Sequence, residues 1–426
     1  MSTVGIIAEF NPFHNGHAYL INETKRITGA DHVVIVMSGN YVQRGAPAFM
    51  DKFSRTSIAL NNDADLIIEL PFVYASASAA YFATGAVNIL NKLNVVDYLC
   101  FGCENENLDL ISYIADIIIN EDDCYSSTLQ SYLKNGFSFA KSRENAVMKS
   151  LSLMGITVPA SEISEILSSP NSILAIEYIK ALKISNSNIK PIAIKRTDSG
   201  YHSSRINDGF ASANAIRNIY SKVSVYNFNN IRETLSELVP INSLGILENN
   251  FKKTYPVIRN DFSNLIFKAL ISDKFGLTNL NNLFDTTNDL VNRIRNIYSG
   301  HTDIETLINE CNSPTYTSGR IARILIYTLM SYTKDDFMHF KEDDYVYYFR
   351  ILGFKKSHSE LLTAIKNNSG LPLITKLSKA GEILPDNGMR MLAINRLADD
   401  IYRMVVSSKY GCEIPAEEEQ GVIIMD

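Results

Sequence analysis

The sequence predicts an α/β protein: a Rossmann-like domain with a parallel sheet, followed by a mostly helical domain. Three observations carry this. Short apolar, β-branched runs alternate with helical stretches over the first hundred residues. A similar run, PIAIK at 191–195, returns after a long helical stretch. From about Asn229 onward the periodic segments have helical spacing.

Val4–Phe10 reads as a buried strand, and His17–Thr28 carries Tyr19, Leu20, Ile21 and Ile27 at helical spacing. HVVIVM at 32–37 is a β-branched strand, Asp51–Asn61 a helix, LIIEL at 66–70 a strand, Ser76–Leu93 a long Ala-rich helix, and Tyr98–Phe101 a further strand. This alternation implies right-handed crossovers between parallel strands. Residues 107–185 read as a helical insertion with breaks near Asn135-Gly136, Gly155 and Ser168-Ser169-Pro170. Ser212–Tyr220 then reads as a helix. The expected units are 1–225, with that insertion, and 226–426, with helical segments at Ile231–Leu238, Phe262–Ile271, Leu290–Tyr298, Arg320–Tyr332 and Met389–Val405. The acidic run Glu417-Glu418-Glu419 reads as a solvated tail.

At 426 residues the chain exceeds one typical hydrophobic core. Hydrophobic residues make up 46% and charged residues 20%, as in ordinary globular proteins. The net charge of -6 supplies no global basic field, so RNA binding would need local patches. Five scattered cysteines argue against a disulfide framework and for a reducing compartment. The N-terminus lacks the pattern of a signal peptide and no apolar run is long enough to span a membrane, so a cytoplasmic protein is expected. No protein partner is evident.

The run Phe10-Asn11-Pro12-Phe13-His14-Asn15-Gly16-His17 follows the first strand and opens the first helix. A helix N-terminus offers unpaired N–H groups and roughly half a unit of positive charge, which suits an anion. His14 and His17, three residues apart, share one face, and Gly16 leaves room for a nucleotide to approach the backbone. Two imidazoles there can bridge phosphate oxygens and stabilise charge developing at an attacked phosphorus. The same residues could instead be zinc ligands, completed by Cys100 and Cys103, or the Cys-x-x-Cys pair could do redox chemistry. No third ligand stands at metal spacing, and no metal site is expected. A purely structural helix start is the remaining alternative.

The motif resembles that of the His-x-Gly-His nucleotidyltransferases. Further stretches resemble one family among them, the bacterial tRNA(Met) cytidine acetate ligases: GIIAEFNPFHNGHAYLI, SGNYVQRGAPAFMDKFSR, DLIIELPFVYASASAAYFATGAV, FGCE, SPNSILAIEYIKAL, KRTDSGYHS and SANAIR. They fall between residues 5 and 217; beyond them, GRIARILIYTL and YFRILGFKK are also similar. The resemblance implies a ligation in which ATP and acetate give acetyl-adenylate and pyrophosphate. The acetyl group then passes to the exocyclic amine of the wobble cytidine of elongator tRNA(Met), with Mg2+ accompanying the nucleotide. It implies catalytic roles for His14 and His17. It implies a nucleotide cradle of Ile7, Ala8, Glu9, Phe10, Asn11, Pro12, Phe13, His14, Asn15, Gly16, His17, Ala18, Tyr19 and Leu20, with Gly102, Asn171, Lys195, Arg196 and Arg217 as further contacts.

The sequence departs from the family pattern in three places. Cys103 stands where a small residue is usual. Asn214 stands where the superfamily's second phosphate motif has Ser or Thr. Pro314-Thr315 precede Tyr316-Thr317 where a basic residue is expected.

For tRNA the candidates are patches. Residues 190–222 hold Lys190, Lys195, Arg196, Arg205, Arg217 and Lys222 against Asp198 and Asp208, with Tyr201 and His202 among them. Arg320 and Arg323 would share a helix face, and Tyr347, Tyr348, Phe349, Arg350, Lys355 and Lys356 interleave aromatic and basic residues. Arg205, Arg320, Arg323, Lys355 and Lys356 are the candidate tRNA contacts, although charges on helix faces are usually only solvated. Two rival readings share the histidine motif: an adenylyltransferase making a small nucleotide cofactor, and an RNA-binding scaffold with a structural ATP site.

Overall fold

A computed structural model describes residues 2–196, 211–222 and 227–426. The strands in chain order are β1 Thr3–Ala8, β2 His32–Ser38, β3 Tyr41–Val42, β4 Ala46–Pro47, β5 Leu66–Leu70, β6 Tyr98–Cys103, β7 Lys190–Lys195, β8 Phe349–Lys355, β9 Leu373–Ile374 and β10 Ile423–Met425. The main sheet has the order β10-β8-β5-β2-β1-β6-β7, with β9 pairing β8, and β3-β4 form a separate hairpin. The strands β5, β2, β1, β6 and β7 run parallel, with β1 paired to β2 on one side and β6 on the other.

The helices of the first part are α1 Asn15–Thr28, α2 Lys52–Asn61, α3 Phe72–Ala75, α4 Ala79–Lys92, α5 Leu108–Asn120, α6 Asp123–Lys134, α7 Phe139–Leu153, α8 Ala160–Ser168, α9 Pro170–Ile184 and α10 Ala213–Lys222. Strand alternation sorts the core onto the two faces of the sheet. Val4, Ile6, Val33, Ile35, Ile67, Cys100 and Ile194 pack with Ile21 of α1, Ile58 of α2 and Ile216 of α10. Ile7, Val34, Val36, Ile68, Phe101 and Cys103 pack with Phe82 of α4 and Ile176 of α9. Cys100 and Cys103 therefore face opposite sides of the sheet, where they can share neither a metal ion nor a disulfide.

The first strand is shorter than its apolar run. It ends at Ala8, and Phe10 takes a left-handed φ of 47° that swings the chain toward α1. The helices after residue 226 are α11 Asn229–Leu238, α12 Ile241–Asn250, α13 Ser263–Lys274, α14 Asn288–Ile297, α15 Ile304–Cys311, α16 Ser318–Met330, α17 Lys334–Glu342, α18 Ser359–Asn368 and α19 Asp386–Tyr410. This part also returns strands to the main sheet. β8 runs antiparallel to β5, and β10 runs parallel to β8. The expected boundary near 226 is thus not a boundary of the sheet, which both parts build.

Two surface expectations are corrected by burial. Tyr347, Tyr348, Phe349 and Arg350 are buried where β8 enters the sheet, so they are not stacking surface. The acidic run near the C-terminus is not a solvated tail. Glu417 is buried against Lys52 and Arg350, and Glu418 pairs with Arg396. Among the described residues no helix is long and apolar enough to cross a membrane.

Candidate active site

A cavity of about 490 Å³ opens at the C-terminal ends of β1 and β6. Crossovers leave on either side of β1 here, which is where open α/β sheets bind ligands. Of the residues expected from sequence, Ile7, Ala8, Glu9, Phe10, Asn11, His14, His17, Leu20, Gly102, Asn171, Arg196 and Arg217 line it.

The two histidines are built into the start of α1 in a specific way. His14 is the N-cap, with extended backbone, and its Nδ1 accepts the Gly16 N–H at 3.0 Å. His17, three residues on, accepts the His14 N–H at its own Nδ1, at 3.3 Å. The rings stack with centroids 3.8 Å apart. An Nδ1 that accepts carries no proton, so each ring holds its hydrogen on Nε2 as a donor. Burial holds the His17 imidazole well below its ordinary value of 6.5, and His14 and Arg196 push it the same way. The two rings are therefore set as Nε2–H donors suited to an anion, and His17 stays neutral near neutral pH. Gly16 has a different reason from the one its position suggests: a Cβ there would stand 2.9 Å from Cε1 of His14, so the glycine makes room for the ring.

The rest of the phosphate end comes from α10 and β7. Arg217 hydrogen-bonds the carbonyl of Asn11, and its other nitrogen donates to Asn214 Oδ1 at 3.3 Å. Asn214 thus orients Arg217, and it lines the cavity where a hydroxyl residue is usual. Arg196 lies beside Gly102, where an added Cβ would come 3.2 Å from Arg196 Cγ. On the β6 side, Asn171 donates to Glu104 Oε1 at 2.7 Å, and Ser172 N–H to Glu104 Oε2 at 2.8 Å. The glutamate of FGCE caps the helix that SPNSIL begins.

Some expected residues lie elsewhere. Pro12, Phe13, Asn15, Gly16, Ala18, Tyr19 and Lys195 are not in the cavity wall. Phe13 is core, Asn15 donates to the Glu237 carbonyl, and Tyr19 is exposed. Lys195 and Arg196 are consecutive on extended chain and point to opposite sides, so only Arg196 reaches the cavity. Arg205, with Asp198, Tyr201, His202 and Asp208, lies outside the described residues.

Three of the other cations proposed for tRNA, Arg320, Arg323 and Lys355, have partners within the protein. Arg320 and Arg323 both reach Asp285, at 3.1 and 3.5 Å. Lys355 lies near Asp63 and Asp65, at the end of the sheet opposite the cavity, and exposed Lys356 follows it.

Sequence reasoning missed several contributors, four of them charged or amide side chains. Gln43 and Arg44 enter the cavity from the β3-β4 hairpin, and Arg259 and Glu305 enter from beyond residue 226. Arg259 binds Glu305 at 2.9 Å and donates to the Gly45 carbonyl at 3.1 Å. Gly45, at φ 64°, packs on the backbone of Ala322 and Arg323, leaving no space for a side chain. The hairpin is thus clamped between the cavity and α16. Arg55, fully buried, donates to the carbonyls of Met50, Glu9, Ser38 and Gly39 and fixes the ends of β1 and β2. Its only sequence signal was membership of the DKFSR stretch.

This fold and site define a nucleotide-binding enzyme of the HIGH Nucleotidyl Transferase class, whose family model matches residues 1–414. The chain is 38% identical over 426 residues, covering all of both chains, to the tRNA(Met) cytidine acetate ligase of Acetivibrio thermocellus. It is 40% identical over 405 residues to that of a Thermoanaerobacter species, covering 95% of each chain. The chain belongs to the tRNA(Met) cytidine acetate ligase family. Among solved structures, it matches the apo form of Thermotoga maritima TmcAL with a TM-score of 0.90 at 27% identity, over 100% of both chains. The same protein bound with alpha-thio ATP matches at 0.88.

Proposed function

We propose that this protein uses ATP to activate acetate as acetyl-adenylate, with release of pyrophosphate, and transfers the acetyl group to the exocyclic amine of the wobble cytidine of elongator tRNA(Met). The observation that carries the proposal is the stacked His14–His17 pair, with both Nε2–H donors set by backbone hydrogen bonds at the mouth of a nucleotide-sized cavity. The Nε2–H donors stabilise the charge that builds on the α-phosphate as acetate attacks, and Arg217 and Arg196 supply fixed positive charge beside it. Positioning and electrostatics suffice, because no enzyme nucleophile is needed.

Magnesium is expected to arrive on the triphosphate. The cavity wall offers carboxylates flanked by arginines rather than an acidic ligand set. The two clusters with metal-ligand spacing among the described residues, His32–Asp65–His358 and Glu69–Asp399–Glu417, do not line it. A reaction needing ATP and tRNA is expected to run in the cytoplasm.

The half-reaction gives a direct test. Labelled pyrophosphate should exchange into ATP when acetate is supplied, without coenzyme A, and the assay is run with and without tRNA. Arg196→Ala should reduce this exchange by more than Lys195→Ala, since only Arg196 lines the cavity. Exchange supported by a phosphorylated cofactor precursor but not by acetate would favour a cofactor-making adenylyltransferase.

A further inference from the structure

The phosphate chemistry leaves one carboxylate of the cavity without a role. Among the described lining residues the carboxylates are Glu9 and Glu305. Glu305 is held by Arg259 through both oxygens, at 2.9 and 3.1 Å. Glu9 follows β1 directly, five residues before His14, at the point where the sheet's crossovers diverge. Two bonds fix it: its Oε1 accepts the Gln43 N–H at 2.8 Å, and its carbonyl accepts from Arg55 at 2.7 Å.

The second step of the proposed reaction needs a base, and none of the groups placed at the phosphates is one. His14 and His17 each carry their proton on Nε2, with Nδ1 taken by a backbone N–H, and the arginines are permanently charged. We propose that Glu9 is the general base that takes the proton from the cytidine N4 amine. The inference rests on the acetate-ligase reading. N4 attacks the acetyl carbonyl carbon, and the N4–C bond forms as its proton passes to the Glu9 carboxylate. The bond between that carbon and the phosphate oxygen breaks, and its electron pair leaves with AMP. The geometry suits this role, because a base beside the acetyl group must be near the α-phosphate yet not bonded to it.

The surroundings also suit a base. Burial raises the Glu9 pKa above its ordinary 4.5, against the Gln43 N–H and the charges of Arg217, Arg44 and Arg55. Tyr178 of α9 faces it as well, and Glu9 adds to the rise in that phenol's pKa. A carboxylate with raised proton affinity is a better proton acceptor than a surface glutamate.

The test separates the two steps in the full-length enzyme. Transfer is followed in single turnovers from acetyl-adenylate to unmodified elongator tRNA(Met) transcript, and adenylation by acetate-dependent ATP–pyrophosphate exchange. Glu9→Gln should slow transfer by about a hundredfold or more, and by at least about tenfold more than it slows exchange. Wild-type transfer should fall on the acid side as Glu9 takes up a proton. That acid limb should vanish in Glu9→Gln and persist, at reduced rate, in Glu9→Asp. Equal losses in both steps would make Glu9 a nucleotide-positioning residue and overturn the proposal, as would transfer at near wild-type rate. Absence of acetate-dependent exchange in the wild type would instead bring down the ligase reading, and this inference with it.

Discussion

Replacing His14 or His17 with Ala should lower acetate-dependent ATP–pyrophosphate exchange by about a hundredfold or more while the protein stays folded. Each ring contributes one Nε2–H donor to the transition state, and donors of this kind are worth about 3–4 kcal/mol. The folded state loses less. Each Nδ1 accepts one backbone N–H at the start of α1, so deletion resembles loss of a helix cap, about 1 kcal/mol. The two effects can be separated. His14→Asn keeps an N-cap acceptor for α1 but places no donor where Nε2–H stands, so it should recover stability and not exchange. Near-normal exchange by both Ala variants would remove the histidines from the mechanism.

Lys52→Met should cost about 3–5 kcal/mol of stability, a large part of the roughly 5–15 kcal/mol that holds a typical domain. Lys52 is fully buried, and its Nζ lies 2.8 Å from Glu69, 2.7 Å from Asp399 and 2.8 Å from Glu417. Removing it strands three buried carboxylates with only Arg350 nearby to offset Glu417. The contacts join β5, the start of α2, α19 and the segment before β10, so their loss loosens the C-terminal part from the sheet. The Glu417 contribution to the pH dependence has a defined sign, opposite to that of Asp399, whose carboxyl burial raises above its ordinary value despite Lys52. Burial alone would raise the Glu417 pKa, but Lys52 and Arg350 hold it below 4.5, at about 2. A depressed folded value means that its stabilisation is complete above 4.5 and is lost as pH falls toward 2. Lys52→Met should therefore differ from wild type most at neutral pH in urea unfolding and least in acid. A loss under about 1 kcal/mol at pH 7 would contradict this account.

The contrast between these two sites shows how far the sequence could be read. The histidine motif is local: strand end, turn, cap and helix start lie within fifteen residues, so spacing alone places both rings at a helix N-terminus. The family stretches extended that reading to Gly102, Asn171, Arg196 and Arg217. The choice between Lys195 and Arg196 turned on strand phase, which a short run with uncertain ends does not settle. The Lys52 cluster had no local signal. Its partners lie 17, 347 and 365 residues away, and an acidic run near a chain end ordinarily faces water. The YFRILGFKK stretch misled for a related reason. Arg350 interrupts an apolar run and suggests a surface, whereas the fold buries it as the partner of Glu417. A continuous apolar run from Val346 to Phe349 was the available sign of a buried strand. Gln43, Arg44, Arg259 and Glu305 meet at the cavity only through tertiary packing.

The most direct test of the central claim is the acetylation of tRNA. Purified protein is incubated with ATP, magnesium, isotope-labelled acetate and unmodified elongator tRNA(Met) transcript, and the digested nucleosides are analysed by liquid chromatography with mass detection. The account predicts labelled N4-acetylcytidine at the wobble position, dependent on ATP, independent of coenzyme A and lost in His14→Ala and His17→Ala. Unmodified cytidine after complete incubation with wild-type protein would contradict it.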